Sequence, residues 1–143
     1  MTEVASQEAL VAILNELLEA ERAGAKVTLE TARQAEQPAV AQLMQHIQHD
    51  EARWCAMLLQ QIRALGGTAS PRVGAFYDKA MAIDDIAERI TFLNRGQGWV
   101  VRKLRELIPQ VSDASLKADL DSMLSSHVAN IALANASGPA GPA

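Results

Sequence analysis

QEALVAILNELLEAERAGAKVTLETARQ, Gln7 to Gln34, carries Leu10, Leu14, Leu17, Leu18, Ala25 and Leu29 at i, i+3, i+4 and i+7 intervals. That is the spacing of one buried stripe on an α-helix, and Ser6 stands where an N-cap hydroxyl belongs. Pro38 suits the first turn of a second helix, whose inner stripe is Val40, Leu43, Met44, Ile47, Leu58, Leu59, Ile62 and Leu65 until Gly66 and Gly67 end it. The link between these helices is only a few residues, so they are predicted to lie antiparallel.

From Gly66 to Ile83, GGTASPRVGAFYDKAMAI begins with helix breakers and offers one short helical turn around Phe76 to Met81. That length suits a crossover along a bundle. Phe76 and Tyr77 are expected to cover the bundle side rather than to touch a ligand. Asp85 with Glu88 forms a capping-box-like start to a third helix, with Ile86, Ile90, Leu93, Val100, Val101, Leu104 and Leu107 inward and Pro109 as its stop. Asp113 or Ser112 caps a fourth, through Leu116, Leu120, Met123, Leu124, Ile131 and Ala134. Short link, long crossover and short link describe an all-α, up-down four-helix bundle with a long crossover between helices two and three. The bundle is expected over residues 1–134, and residues 135–143, all Asn, Ala, Ser, Gly and Pro, are expected to form a disordered tail.

Composition narrows the functional classes. Apolar residues make up 49% of the chain but aromatics only 3%, so a single core of aliphatic side chains is expected. A formal charge of −4 with dispersed basic residues offers no footprint for a phosphate backbone, which argues against nucleic acid. No run approaches a membrane span, and the opening MTEVASQEAL lacks a basic-apolar-small succession, so a cytoplasmic protein is expected. Cys55 is the single cysteine, which rules out an intramolecular disulfide and fits a reducing compartment.

Polar side chains on the apolar stripes are the informative exceptions, because burial without a partner is costly. Glu21 continues Leu14, Leu17 and Leu18. Glu51 continues Met44 and Ile47, Gln97 lies between Leu93 and Val100, and His127 lies between Met123 and Ile131. All four fall near mid-helix, so an antiparallel bundle is predicted to bring them to one level.

LNELLEAERAG, Leu14 to Gly24, resembles the first helix of bacterioferritin-type and rubrerythrin-type proteins of the ferritin-like superfamily, which place a metal-binding Glu where Glu21 stands. The resemblance runs from about Leu10 to Ala134 and also covers GAFYDKA and FLNRGQGWV, which look like features of an uncharacterised bacterial ferritin-like family. It implies a ferritin-like bundle in which Glu51 matches the Glu of the helix-two Glu-x-x-His motif and His127 the His of the helix-four motif. Gln97 falls where helix three supplies Glu. The departures are Trp54 for the first His, Gln97 for a Glu, and Leu124 for the Glu three residues before His127. The implied di-iron site is thus degenerate: two carboxylates, one imidazole and one amide balance one divalent ion, not two.

Two readings follow. In one, Glu21, Glu51, His127 and Gln97 hold a single iron, manganese or zinc ion, and the resemblance implies redox or peroxide handling on a substrate the sequence does not identify. In the other no metal is bound, the polar groups share protons, and the bundle is a non-catalytic accessory module. Trp54, with an N–H and no lone pair for a metal, is expected to fill the vacated half-site and hydrogen-bond a carboxylate. The short tail is expected to exclude the extra helix of cage-forming ferritins, which leaves a homodimer. Cys55 is expected in the core, and His46 and His49, sharing a face with Arg53, in solvent. Asn94 and Asn130 are candidate supports for the site or bundle-edge hydrogen bonders. Gly24, Gly96 and Gly98, unfavourable within helices, are expected to allow close approach or space beside the polar level.

Overall fold

The computed structural model describes residues 5–137. Its helices are α1 (Gln7–Gln34), α2 (Pro38–Ala64), the short α3 (Phe76–Met81), α4 (Ile86–Leu107) and α5 (Ala114–Ser137), with a 3-10 turn at Ile108–Gln110. No strand occurs among the described residues. Local chemistry sets the helix ends. Ser6 accepts from the Ala9 amide at 3.1 Å, Asp85 from Glu88 at 2.9 Å and Asp113 from Leu116 at 2.8 Å, each satisfying an N–H that a first turn leaves open. Pro38 occupies the first turn of α2, and Gly66, at φ +76°, takes the left-handed conformation just after that helix ends.

Cross-links fix the direction of each neighbour. Gln7 donates to the Leu65 carbonyl at 3.0 Å, so α1 begins where α2 ends. Asn130 donates to Asp50 at 2.9 Å and Gln61 to Asp119 at 2.7 Å, so α2 and α5 run oppositely. Arg89 donates to Gln34 at 2.7 Å and Lys103 pairs with Glu16 at 3.2 Å, which reverses α4 relative to α1. Each long helix therefore packs against two others, in the ring α1, α2, α5, α4. The crossover is tied to α1: Asn15 donates to the Thr68 carbonyl at 3.0 Å and accepts from the Ser70 amide at 2.7 Å, and Arg22 donates to the Ser70 and Arg72 carbonyls. This seats α3 on α1 and α4.

The core is in two parts. Leu14, Leu17, Leu18, Trp54, Leu58, Leu104, Leu120 and Met123 belong to one apolar cluster; Val27, Met44, Ile47, Leu93 and Ala134 belong to the other. On every long helix one buried polar residue falls between the two: Glu21 between Leu18 and Val27, Glu51 between Ile47 and Trp54, Gln97 between Leu93 and Val100, and His127 between Met123 and Ala134.

Two details depart from the sequence expectation. Leu29 is 39% exposed and Ala25 only half-buried, while Val27, Thr28 and Thr31 are buried. The stripe advances 3.6 residues per turn and arrives at Thr28, whose hydroxyl is satisfied by donating to the Gly24 carbonyl at 2.8 Å. The last helix also continues to Ser137, past the expected boundary at 134; the rest of the expected tail, 138–143, lies outside the described residues.

Candidate metal centre

Glu21, Glu51, Gln97 and His127 are each no more than 3% exposed. Their Oε1, Oε2, Oε1 and Nε2 atoms respectively are the buried side-chain polar atoms, among the described residues, that have no hydrogen-bond partner. The coincidence is complete: the four residues singled out by breaking an apolar stripe are the four left unsatisfied. Ligand-capable atoms of Glu21, Glu51 and His127 lie within 4.8 Å of one another. His127 Nε2 is 2.7 Å from Glu21 Oε1 and 3.8 Å from Glu51 Oε2. The 2.7 Å approach is short enough for a hydrogen bond but not aligned as one, since both atoms remain unpartnered.

Neighbouring groups aim these atoms. His127 Nδ1 lies 2.9 Å from the Met123 carbonyl. A carbonyl only accepts, so Nδ1 carries a proton, and in the neutral ring Nε2 presents its lone pair to the carboxylates. Asn94 Nδ2 donates to the Ile131 carbonyl at 3.3 Å and to Asn135 Oδ1 at 3.0 Å, which fixes its amide and leaves Oδ1 to accept from Gln97 Nε2 at 3.2 Å. Gln97 is thereby left with its oxygen, not its nitrogen, free. Gly24 makes room for the second carboxylate: a Cβ there would stand 3.1 Å from Glu51 Cδ and Oε1.

The electrostatics suit a cation or retained protons. Burial pushes the Glu21 carboxyl above the usual carboxylate range, opposed by the charge and close approach of His127. Burial also lowers His127, but the Glu21 charge, the contacts with Glu21 and Met123 and the Asp50 charge together outweigh it and raise the imidazole. One imidazolium compensates only one of two carboxylates, whereas one divalent ion compensates both. Three converging lone-pair groups, the carboxylates of Glu21 and Glu51 and the imidazole of His127, fit a single first-row divalent metal, and the unpartnered oxygen of Gln97 lines the same cavity as the two carboxylates.

Trp54 does not serve the carboxylates as expected. It is buried, but its indole N–H donates to Ser126 Oγ at 3.2 Å, which in turn donates to Asp50 Oδ2 at 3.2 Å. Asn130 donates to the same oxygen of Asp50, so it supports Asp50, whereas Asn94 supports Gln97 directly. Asp50 and Ser126 were not singled out from the sequence. The signal was there: each immediately precedes a candidate ligand, Glu51 or His127, and so sits beside it at the α2–α5 seam.

Other candidates fall away from the centre. Burial, then the Glu21 charge, push the Cys55 thiol up to about 12, against the opposing charge of Arg22, so it stays protonated near neutrality and lies outside the ligand cluster. His46 and His49 are exposed, and His46 stands 3.7 Å from Asp50. Gly96 admits the Phe76 ring, which a Cβ would meet at 2.7 Å, but Gly98 meets only the Arg102 side chain at 3.6 Å, so close approach does not explain it. Phe76 stacks on Phe92 with centroids 4.9 Å apart, as a covering residue should, yet it also lines the cavity that reaches the centre; Tyr77 lies under Lys26.

A family described as "Domain of unknown function (DUF6306)" matches residues 7–136, a span that includes all four long helices almost to their ends. No curated protein and no solved structure matches the chain.

Proposed function

The chain belongs to the DUF6306 family, and from that premise we propose that it is a ferritin-like bundle protein whose core holds one metal ion on Glu21, Glu51 and His127, with the Gln97 carbonyl as a fourth donor. One observation carries the reading: among the described residues the buried side-chain polar atoms without partners are these four, one per long helix. The antiparallel ring of α1, α2, α5 and α4, with the crossover between α2 and α4, supports the ferritin-like assignment. Iron and manganese suit an oxygen-rich donor set with one imidazole, and zinc is the redox-silent alternative. When bound, iron or manganese supplies open coordination positions and one-electron redox chemistry. Glu21 and Glu51 balance its charge, Met123 sets the His127 tautomer, and Asn94 turns the Gln97 oxygen inward. The function proposed is oxidation or peroxide handling at a single ion.

Metal content tests this. Tag-free protein purified from iron- and manganese-supplemented medium is expected to carry about one ion per chain, and Glu21→Ala and His127→Ala are each expected to lose it. Two ions per chain would contradict the mononuclear assignment. Absence of metal in every form would leave the scaffold as a non-catalytic accessory module.

A further inference from the structure

Glu21, Glu51 and Gln97 line a cavity of about 360 Å³, while His127 lies outside its lining. Apart from Glu16 and Glu19 on α1, the other walls are apolar, chiefly Leu93, Val100, Trp99 and Phe76. The volume far exceeds the ~10–15 Å³ that holds one water and falls in the ~300–1,000 Å³ range of small-molecule pockets. Dioxygen or peroxide alone does not require such a space. Its existence is built into the sequence: Ala20, Gly24, Gly74 and Gly96 border it with little or no side chain, and the Phe76 ring is held as a wall by Phe92.

We propose that this cavity seats a neutral organic substrate with an apolar body and one hydroxyl oxygen, an alcohol or phenol, whose oxygen points at Glu21, Glu51 and Gln97. The assignment of that oxygen to the metal, and the exclusion of an ammonium, rest on the mononuclear reading; the cavity and its preference for an apolar body over a carboxylate do not. The choice of charge follows from the lining. Glu19 stands on the wall formed by α1 beside Glu16, which pairs with Lys103, so a carboxylate ligand meets like charge at Glu19, and a cation bound between Glu21 and Glu51 repels an ammonium. The apolar walls stabilise a hydrocarbon body, and the only polar groups at the inner end are acceptors or the metal they hold.

Trp99 reports on the cavity wall. The chain has two tryptophans, so a Trp54→Phe background leaves Trp99 as the sole indole. In the metal-loaded protein its emission is expected to titrate saturably with 1-hexanol and cyclohexanol, and at least tenfold more weakly with hexanoate and hexylammonium; in the metal-free protein only the contrast with hexanoate is expected to remain. Ala20→Phe, which fills the cavity, and Ala75→Phe, at its exposed edge, are each expected to weaken hexanol binding at least tenfold while keeping the metal stoichiometry. In cobalt-substituted protein the alcohols are expected to change the visible cobalt bands. Hexanoate binding as tightly as hexanol, or hexanol binding unchanged in both filled variants, overturns the proposal. Failure of saturable binding in a protein that holds one cobalt overturns it and leaves the metal reading intact; saturable binding in a protein that takes up no cobalt retains the cavity and removes the metal.

Discussion

Saturating the metal-free protein with manganese(II) or iron(II) under anaerobic conditions at about pH 8 is expected to raise its thermal midpoint by about 8–16 °C. A ligand present at a thousandfold over its Kd stabilises the native state by ~4 kcal/mol, and a chain of this size gains ~2–4 °C per kcal/mol. The gain depends on pH with a definite sign. Folding raises Glu21 above its ordinary 4.5, through burial, and raises His127 above its ordinary 6.5, where the lowering by burial is outweighed only by the Glu21 charge together with the Glu21 and Met123 contacts and the Asp50 charge. The folded metal-free protein thus holds more protons than the unfolded chain from about pH 4.5 upward for Glu21 and from about pH 6.5 upward for His127, each up to its folded pKa. Across both windows the stability contributed by these groups falls as pH rises. Metal displaces those protons, so the difference between loaded and metal-free midpoints widens from about pH 5 to pH 8. Glu21→Gln removes one of the two carboxylates and is expected to abolish most of the gain. Equal midpoints with and without metal, or a difference that shrinks on going alkaline, would contradict the competition between metal and protons.

Glu51→Leu is expected to stabilise the metal-free protein by about 1–4 kcal/mol while eliminating metal binding. Glu51 is 2% exposed and its Oε2 has no partner, so in the absence of metal its carboxyl contributes desolvation cost without a compensating hydrogen bond. Removing a buried carboxylate that lacks a hydrogen-bond partner, while the closer Glu21–His127 pair stays whole, relieves a desolvation cost of roughly that size. The Glu21–His127 contact survives the change, and the absence of a Cβ at Gly24 leaves space for the leucine methyls. A urea midpoint that rises with unchanged slope is the expected reading. A fall of more than about 1 kcal/mol would mean that Glu51 belongs to a structural hydrogen-bond network.

What the sequence made legible follows from how each residue earns its burial. Leu14, Leu17 and Leu18 set a stripe by transfer free energy alone, and Glu21 stands out because it interrupts that stripe. The same logic found Glu51, Gln97 and His127, although the second half of α5 also carries apolar residues on its outer face, with Val128 and Leu133 exposed. Thr28 was not legible, because its burial depends on a hydroxyl turned back onto its own helix. Arg89 was not either: it is 3% exposed because its guanidinium finds the Ile83 carbonyl, Thr31 and Gln34, partners supplied by the crossover end and the last turn of α1. Trp54 was placed inward correctly but assigned the wrong acceptor. Its Ser126 partner is 72 residues away, and no local pattern encodes that meeting.

Anomalous scattering from crystals grown with manganese locates the ion without reference to activity. The arrangement of the four inward side chains predicts one peak per chain, within about 2.0–2.5 Å of an oxygen of Glu21, an oxygen of Glu51 and Nε2 of His127. Two peaks ~3.5–4 Å apart at that level, or manganese only beside the exposed His46 and His49, would contradict it.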